Sequence, residues 1–206
     1  MMRKPLLILS SLSLLALASC QKDDEKQPNP MPAEPTPVQE ANVNFVYTYP
    51  NESKGQTFLA KDPKGKLESS RLSLTFEKEL RQYAVTTDER IEFLLPQSRQ
   101  KSGLVGTYTL SSQPDPGQGE VQATYERPFS GTGSFANKYS GNTSVMQGSF
   151  TISDYNASRK LLSGSYTFTI RQIRDPFQFL ATGSYSDPRR LCDVKCYGTF
   201  REIPLQ

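Results

Sequence analysis

Apolar and polar residues alternate with a period of two along most of this chain, and this pattern constrains its fold more than any other feature. Val43, Phe45 and Tyr47 share one face of such a segment, and the same alternation returns at residues 72–76 and 166–170. A period of two is typical of β-strands with one buried face. The sequence therefore predicts a single all-β domain over residues 42–206. An antiparallel β-sandwich of eight to ten strands is favoured, and a lipocalin-like small barrel is the alternative.

A short motif, glycine followed by serine or threonine and then an aromatic residue, recurs in this domain. Its copies begin at Gly106, Gly133, Gly148, Gly164, Gly183 and Gly198. From the second copy onward they are 15 to 19 residues apart, about one strand and its turn. Glycine near the start of a strand permits a bulge or a close backbone approach. We interpret the motif as antiparallel strands that enter one sheet in the same way, rather than as propeller blades or a ligand-binding repeat.

The chain contains no histidine and no tryptophan. The first absence excludes the usual Ser-His-Asp and Cys-His mechanisms and zinc sites with histidine ligands. The second weakens a carbohydrate-binding interpretation, although ten tyrosines can serve as aromatic platforms. A carboxylate pair for glycoside hydrolysis stays open, but no two acidic residues stand out as partners. We expect no enzymatic activity, no catalytic residue, no cofactor and no metal site.

The charge of the chain is nearly balanced, with 24 basic and 21 acidic side chains. Removal of Arg3 and Lys4 with an amino-terminal leader leaves 22 basic side chains against the same 21. No basic block stands out. Because nucleic-acid binding depends on clustered positive charge, we expect no nucleic-acid partner.

The amino terminus has the layout of a secretory signal peptide. Arg3 and Lys4 precede an apolar segment over residues 6–17, and small residues follow it. A membrane-spanning helix needs about 20 apolar residues, and charged residues begin at Lys22. The sequence therefore predicts a signal peptide over residues 1–19 rather than a transmembrane helix.

The Leu-Ala-Ser-Cys sequence at positions 17–20 resembles the lipobox of bacterial lipoproteins. This resemblance implies cleavage before Cys20 and lipid, as diacylglycerol and palmitate, on its sulfur and amino group. Several acyl chains on one residue hold a protein firmly to a membrane. An ordinary signal peptide with an incidental cysteine is the alternative.

The next five residues, Gln-Lys-Asp-Asp-Glu at 21–25, resemble the export signal of surface lipoproteins in Bacteroidota. The resemblance implies a location on the outer membrane, facing the cell exterior. The alternatives are a simple solvated charge run and the periplasmic face of that membrane. Prolines at 28, 30, 32, 35 and 37 favour an extended chain without a packed core. Residues 20–41 are therefore predicted to form a disordered tether, in which the stretch from Gln21 to Val38 has a reach on the order of 55 Å.

Two further cysteines, Cys192 and Cys196, enter an oxidising compartment, where paired thiols usually form disulfides. In an extended strand, positions four apart are too distant to bridge, because the Cα atoms must come within about 7 Å. A disulfide between them therefore predicts a tight reversal through residues 193–195. We favour this disulfide, with free thiols as the alternative.

Within the β domain, residues 148–155 and 160–168 are similar to a group of Bacteroidota lipoproteins of unknown function. The shared pattern is a strand, a turn and a Leu-x-Gly-x-Phe-x-Phe strand, followed near the carboxyl terminus by Gly-x-Phe, here at 198–200. This resemblance implies a β-sandwich or a small barrel and brings no catalytic residues. The Cys192 and Cys196 pair departs from the pattern.

These features together predict a surface-anchored lipoprotein that acts as a non-enzymatic binding or accessory module. Cys20 attaches it to the membrane, and its ligand is a glycan or a protein. A carrier of a small apolar ligand and a carboxylate-based hydrolase are the alternatives. We expect any binding rim in the loops at 113–119 and 127–133, because loops tolerate the variation that binding requires.

Overall fold

The computed structural model describes residues 36–82, 85–101, 103–113, 121–129, 135–178 and 190–206. These residues form a short 3-10 helix at Gln97–Arg99 and eleven strands, which confirms the predicted all-β fold, although the number of strands exceeds the predicted eight to ten. The strands are β1 (Glu40–Thr48), β2 (Ser53–Leu59), β3 (Lys61–Leu67), β4 (Arg71–Gln82), β5 (Val85–Pro96), β6 (Gly106–Ser111), β7 (Gln122–Phe129), β8 (Phe135–Ser140), β9 (Val145–Asn156), β10 (Leu161–Arg174) and β11 (Leu191–Pro204).

The strands form two antiparallel sheets that pack face to face. The six-stranded sheet has the order β2-β1-β11-β10-β9-β6, and the five-stranded sheet has the order β3-β4-β5-β7-β8. The chain crosses from one sheet to the other at Ala60, between two edge strands. The predicted β-sandwich is therefore confirmed. The small-barrel alternative is wrong, since the described strands form two sheets and no closed one.

The residues that the alternation placed inward form the core between the sheets. Val43, Phe45 and Tyr47 are at most 1% exposed. Aromatic rings fill the centre, where the ring centroid of Phe93 lies 4.8 Å from that of Phe150 and 4.9 Å from that of Tyr166. Full burial of one such side chain stabilises the fold by roughly 1.5–3 kcal/mol. The described core is therefore packed solidly with side chains at its centre.

Three copies of the glycine motif lie inside strands, and each glycine faces an aromatic residue on the neighbouring strand. The pairs are Gly148 with Phe168, Gly164 with Phe200, and Gly198 with Tyr166. A Cβ atom at Gly198 would lie 1.9 Å from the backbone oxygen of Asn42 and 2.7 Å from the Tyr166 hydroxyl. The copies do belong to antiparallel strands of one sheet, as interpreted, and the glycine additionally makes room for the ring opposite. The copies at Gly133 and Gly183 lie outside the described residues.

Two β-bulges bound the regular central part of the six-stranded sheet. The register between β10 and β11 shifts between Leu162 and Gly164 and again between Ile170 and Ile173. Gln172 at the second shift has a left-handed backbone (φ 51°), and its backbone N–H donates to Asp193 Oδ1 at 2.8 Å. Between the two bulges the strands pair without interruption, so side chains on their outer face lie in straight cross-strand rows.

The predicted reversal and disulfide at Cys192 and Cys196 are wrong. Both cysteines lie on β11, whose residues 193–195 pair with β1 and whose Val194 and Lys195 also pair with β10. Positions four apart in a strand are separated by about 13 Å, well beyond the reach of a disulfide. Both cysteines are free and buried.

The predicted signal peptide at 1–19, Cys20, the charged run at 21–25 and most of the tether lie outside the described residues. So do most residues of the two loops predicted as a binding rim. β1 begins at Glu40, two residues before the predicted domain boundary. In the part of the chain that the structure describes, no helix reaches the length and apolarity needed to cross a membrane.

Candidate binding face on the six-stranded sheet

The outer face of the six-stranded sheet carries two cross-strand rows of uncharged side chains, which we call the hydroxyl face. The first row is Thr107, Thr151, Ser165, Thr199, Asn42 and Leu59. The second row is Thr109, Ser149, Thr167, Tyr197, Asn44 and Thr57. Ten of these twelve residues are serine, threonine or asparagine. At about 4.8 Å per strand, each row is about 24 Å long.

The same glycine motif that packs the core builds part of this face. Because side chains alternate along a strand, the residue between an inward glycine and an inward aromatic must point outward. Thr107, Ser149, Ser165 and Thr199 are these middle residues, and all four lie in the two rows. The sequence signal for the face was therefore present in the motif, although only its core-facing positions were interpreted.

The outer face of the five-stranded sheet is different, because charged side chains occupy it. Glu77, Arg90, Glu92 and Glu126 all lie there, and Arg90 Nη2 is 3.0 Å from Glu126 Oε2. A charged, half-exposed strand face is the ordinary solution for solubility. The contrast singles out the two rows of the hydroxyl face, which cross six strands without one charged residue, although Lys195 follows in the next row.

Hydrogen bonds hold several side chains of the hydroxyl face in place. The hydroxyls of Thr107 and Thr151 lie 3.0 Å apart, and Thr57 Oγ1 donates to Asn44 Oδ1 at 2.8 Å. The Asn44 amide donates in turn to the backbone oxygen of Tyr197 at 3.2 Å. Each of these groups keeps further donor or acceptor capacity. The face thus offers pre-oriented polar groups to a ligand.

A shallow groove of about 520 Å³ runs over the centre of the face, lined by residues of both rows and by Lys195. A second groove of about 380 Å³ shares Asn42 and Thr199 with it, extends along the strands and is also lined by the charged Glu40 and Arg201. Tyr197 is 40% exposed in the middle strand, and Lys195 Nζ lies 5.4 Å from its ring centroid. These volumes are in the range of small-ligand sites.

Charged groups lie beyond the two rows, toward both ends of the strands, and several are paired. At one end, Arg171 Nη1 lies 3.6 Å from Asp193 Oδ2. At the other end, the carboxylate of Glu202 accepts a hydrogen bond from the backbone amide of Val38 at 2.6 Å. The two rows are therefore neutral, Lys195 adds one positive charge beside them, and the borders of the face carry both signs of charge.

A second polar cluster lies inside the sandwich, around Glu89 of β5. Its carboxylate is fully buried and accepts from Arg127 Nη1 at 2.6 Å, from the Tyr125 hydroxyl at 2.7 Å and from Gln56 Nε2 at 3.0 Å. The Tyr125 and Tyr47 hydroxyls lie 3.0 Å apart. Burial, followed by charge interactions within the cluster, raises the pKa of Tyr125 well above its ordinary value. Such a bonded ion pair is typical of a structural role.

The described acidic residues that are buried give no support to a hydrolase. Glu89 is paired with Arg127, and Asp175 lies 3.6 Å from Arg190 at another position in the fold. Among the described residues, no group of three histidine, cysteine or acidic side chains can hold a metal ion. The solid aromatic core likewise gives no support to a carrier of an apolar ligand.

The two cysteines of β11 show no sign of reactivity. Burial raises the pKa of Cys192 to about 12, with the charges of Asp175 and Asp193 adding to the effect. Burial also raises the pKa of Cys196 well above the ordinary value. Because the thiolate is the reactive form, both thiols are inert in the folded domain.

Comparison of the chain with protein-family models, with curated proteins and with solved structures finds no match. The hydroxyl face is therefore assigned from its own chemistry and geometry.

Proposed function

We propose that this chain is a lipoprotein, anchored through Cys20 in the outer membrane and displayed to the cell exterior. In this proposal the β-sandwich is a non-enzymatic binding or accessory module, and its ligand binds the hydroxyl face. The observation that carries the proposal is the contrast between the two outer faces. One is charged like an ordinary solvated surface, whereas the other carries two uncharged rows of pre-oriented hydroxyl and amide groups beneath a groove.

The sequence features of the amino terminus support the anchoring part of the proposal. The lipobox-like Leu-Ala-Ser-Cys ends at Cys20, the charged run at 21–25 follows, and the proline-rich segment separates the anchor from the domain. A tether of this length allows the domain to reach ligands away from the membrane surface.

Protease shaving of intact cells tests the display. Surface display predicts that externally added protease removes the domain while periplasmic marker proteins stay intact. Cys20→Ser is expected to release the chain from the membrane fraction. A domain that is protected until the outer membrane is broken would place it on the periplasmic side instead.

Arrays of glycans and proteins test the binding part. The mature chain with Cys20→Ser is compared with the same chain carrying Thr167→Arg, which introduces a bulky charge at the centre of the hydroxyl face. Thr75→Arg, on the outer face of the five-stranded sheet, is the matched control. We expect a ligand that is lost with Thr167→Arg and kept with Thr75→Arg. Equal binding by all three chains would contradict the assignment of this face.

A further inference from the structure

We infer that the ligand of the hydroxyl face is a neutral polysaccharide that stacks on Tyr197. This inference rests on the proposed function, since it names the class of ligand for the same face. The ligand class follows from three properties of the face: its lack of charge, its single exposed aromatic ring and its length.

The charge distribution favours a neutral ligand. The two rows contain no charged side chain. Lys195 in the next row lies over the Tyr197 ring, so a stacked ligand displaces it, and the charges of Glu40 and Arg201, cross-strand neighbours that line the second groove, are of opposite sign. The basic Arg171 at the border is paired with Asp193. An acidic polymer or a nucleic acid would need several unpaired basic groups along its path. A neutral, hydroxyl-rich chain instead matches the hydroxyl and amide groups of the rows in both donors and acceptors.

Tyr197 supplies the apolar contact that such a ligand needs. Its ring is 40% exposed, and its neighbours across the strands are Asn44 and Thr167. A tyrosine ring packs against the C–H face of a sugar. The side-chain amide of Asn44 and the hydroxyl of Thr167, on either side of the ring, can then bind the sugar's hydroxyls. The ring and its polar neighbours thus form the central subsite.

The geometry of the face suits an extended chain rather than one small molecule. Each row crosses six strands over about 24 Å. The two grooves lie over the central four strands and follow one another along the strand direction. Polar groups repeat at about 4.8 Å along the row. A polymer of sugar units meets a new hydroxyl or amide at every strand that it crosses.

A protein partner fits the face less well. Protein interfaces have a contiguous apolar core with aromatic anchors. The large apolar side chains exposed on this side of the sheet include Leu59 at the β2 edge and Val145 on β9, 63% and 59% exposed. They lie on different strands at the periphery, and the polar rows separate them.

Affinity electrophoresis of the mature chain with Cys20→Ser tests the inference. The gels contain soluble starch, glucomannan, xylan or dextran as neutral probes and polygalacturonate as the acidic probe. We expect at least one neutral polymer to retard the chain. Tyr197→Ala should weaken that retardation at least about tenfold, Tyr197→Phe should recover most of it, and Thr75→Ala on the opposite sheet is the unaffected control.

The outcomes separate failure of the inference from failure of the proposed function. Retardation by polygalacturonate alone, or by a neutral polymer with no loss in Tyr197→Ala, overturns the inference. If only an arrayed protein binds, and Thr167→Arg abolishes that binding, the polysaccharide inference is also overturned. The proposal that the hydroxyl face is a binding face is then kept. If no polymer and no arrayed molecule distinguishes Thr167→Arg from the parent chain, both are overturned. Equal urea midpoints for the parent and the variants show that folding is unchanged.

Discussion

Gly198→Ala is expected to destabilise the sandwich, although alanine is ordinarily the better residue in a strand. Replacing a strand glycine by alanine stabilises by roughly 0.5–1 kcal/mol when space allows. Here the added Cβ would lie 1.9 Å from the backbone oxygen of Asn42 and 2.7 Å from the Tyr166 hydroxyl. Ordinary contact begins at 3.4 Å, so β1 would have to move by about 1.5 Å or the Tyr166 ring would have to leave its site.

The clash outweighs the ordinary gain. Overpacking of a well-filled core costs about 1–3 kcal/mol, and a shift of β1 away from β11 weakens ladder hydrogen bonds worth about 1 kcal/mol each. We expect a net loss of about 2 kcal/mol in the free energy of unfolding. For a chain of this size, that loss lowers the melting temperature by roughly 4–8 °C.

Urea unfolding of the mature chain with Cys20→Ser, followed by far-UV circular dichroism, measures this loss. Gly55→Ala is the matched control, because a Cβ at Gly55 on edge strand β2 meets nothing within 4 Å. The control should gain up to about 1 kcal/mol. Adding Tyr166→Phe to Gly198→Ala relieves the hydroxyl contact but also removes the hydrogen bond that this hydroxyl donates to the Asn42 backbone oxygen at 3.3 Å, so it should recover less than half of the loss. If Gly198→Ala and Gly55→Ala change stability in the same direction, close approach is not the reason for glycine at 198.

Glu89→Ala should cost about 3–5 kcal/mol in urea unfolding, because it leaves Arg127 buried and unpaired, whereas Glu92→Ala on the outer face should stay within about 0.5 kcal/mol. The two cysteines of β11 should resist Ellman's reagent at pH 8 in the native chain and react fully in urea, with no mass change on reduction beforehand; fast native reaction would contradict their burial. The pKa values of Tyr47 and Tyr125 are raised by burial. Below about pH 10 both hydroxyls are therefore protonated in the folded and the unfolded chain, and they give the free energy of unfolding no pH dependence. Above about pH 10 the unfolded chain loses protons that the folded one keeps, and stability measured by urea unfolding should fall as the pH rises, whereas no fall up to pH 11 would count against this explanation.

The strands were predictable because their burial pattern is local. Val43, Phe45 and Tyr47 alternate with polar residues, and a period of two has one structural solution when one face is buried. The division into two sheets was less accessible. The described strands change sheet from β2 to β3, from β5 to β6, from β6 to β7 and from β8 to β9. At the first change, seven residues of β2 give way to seven of β3 with no glycine or proline between them to mark it.

The prediction at Cys192 and Cys196 failed because it started from redox chemistry instead of local sequence. The three residues between them, Asp-Val-Lys, contain no glycine, proline or asparagine that would mark a tight turn. Val194 between them is fully buried and pairs with both neighbouring strands. The alternation Cys192, Val194, Cys196 continues the inward face of β11, so the period of two was the better guide.

The buried ion pair shows a different limit. Alternation from Ile91 and Phe93 places Glu89 inward, so its burial was readable from the sequence. Its partner was not, because Arg127 lies 38 residues later and meets it only through the register that pairs β5 with β7. Long-range register is set by the whole sheet, and a single strand pattern does not contain it.

The core and the hydroxyl face are coupled through one three-residue motif. In Gly164-Ser165-Tyr166, the glycine admits the Phe200 ring and the tyrosine packs against Phe93, so both ends are fixed by the core. Only the middle residue is free of that constraint, and it lies on the outer face beside Thr151 and Thr199. Packing alone would tolerate a lysine or glutamate there, as it does at Glu92 and Arg90 on the other sheet. Threonine also favours strands, and cross-strand hydroxyl pairs such as Thr107 and Thr151 add stability. Loss of binding in Thr167→Arg without loss of stability is therefore the result that separates a binding role from a purely structural one.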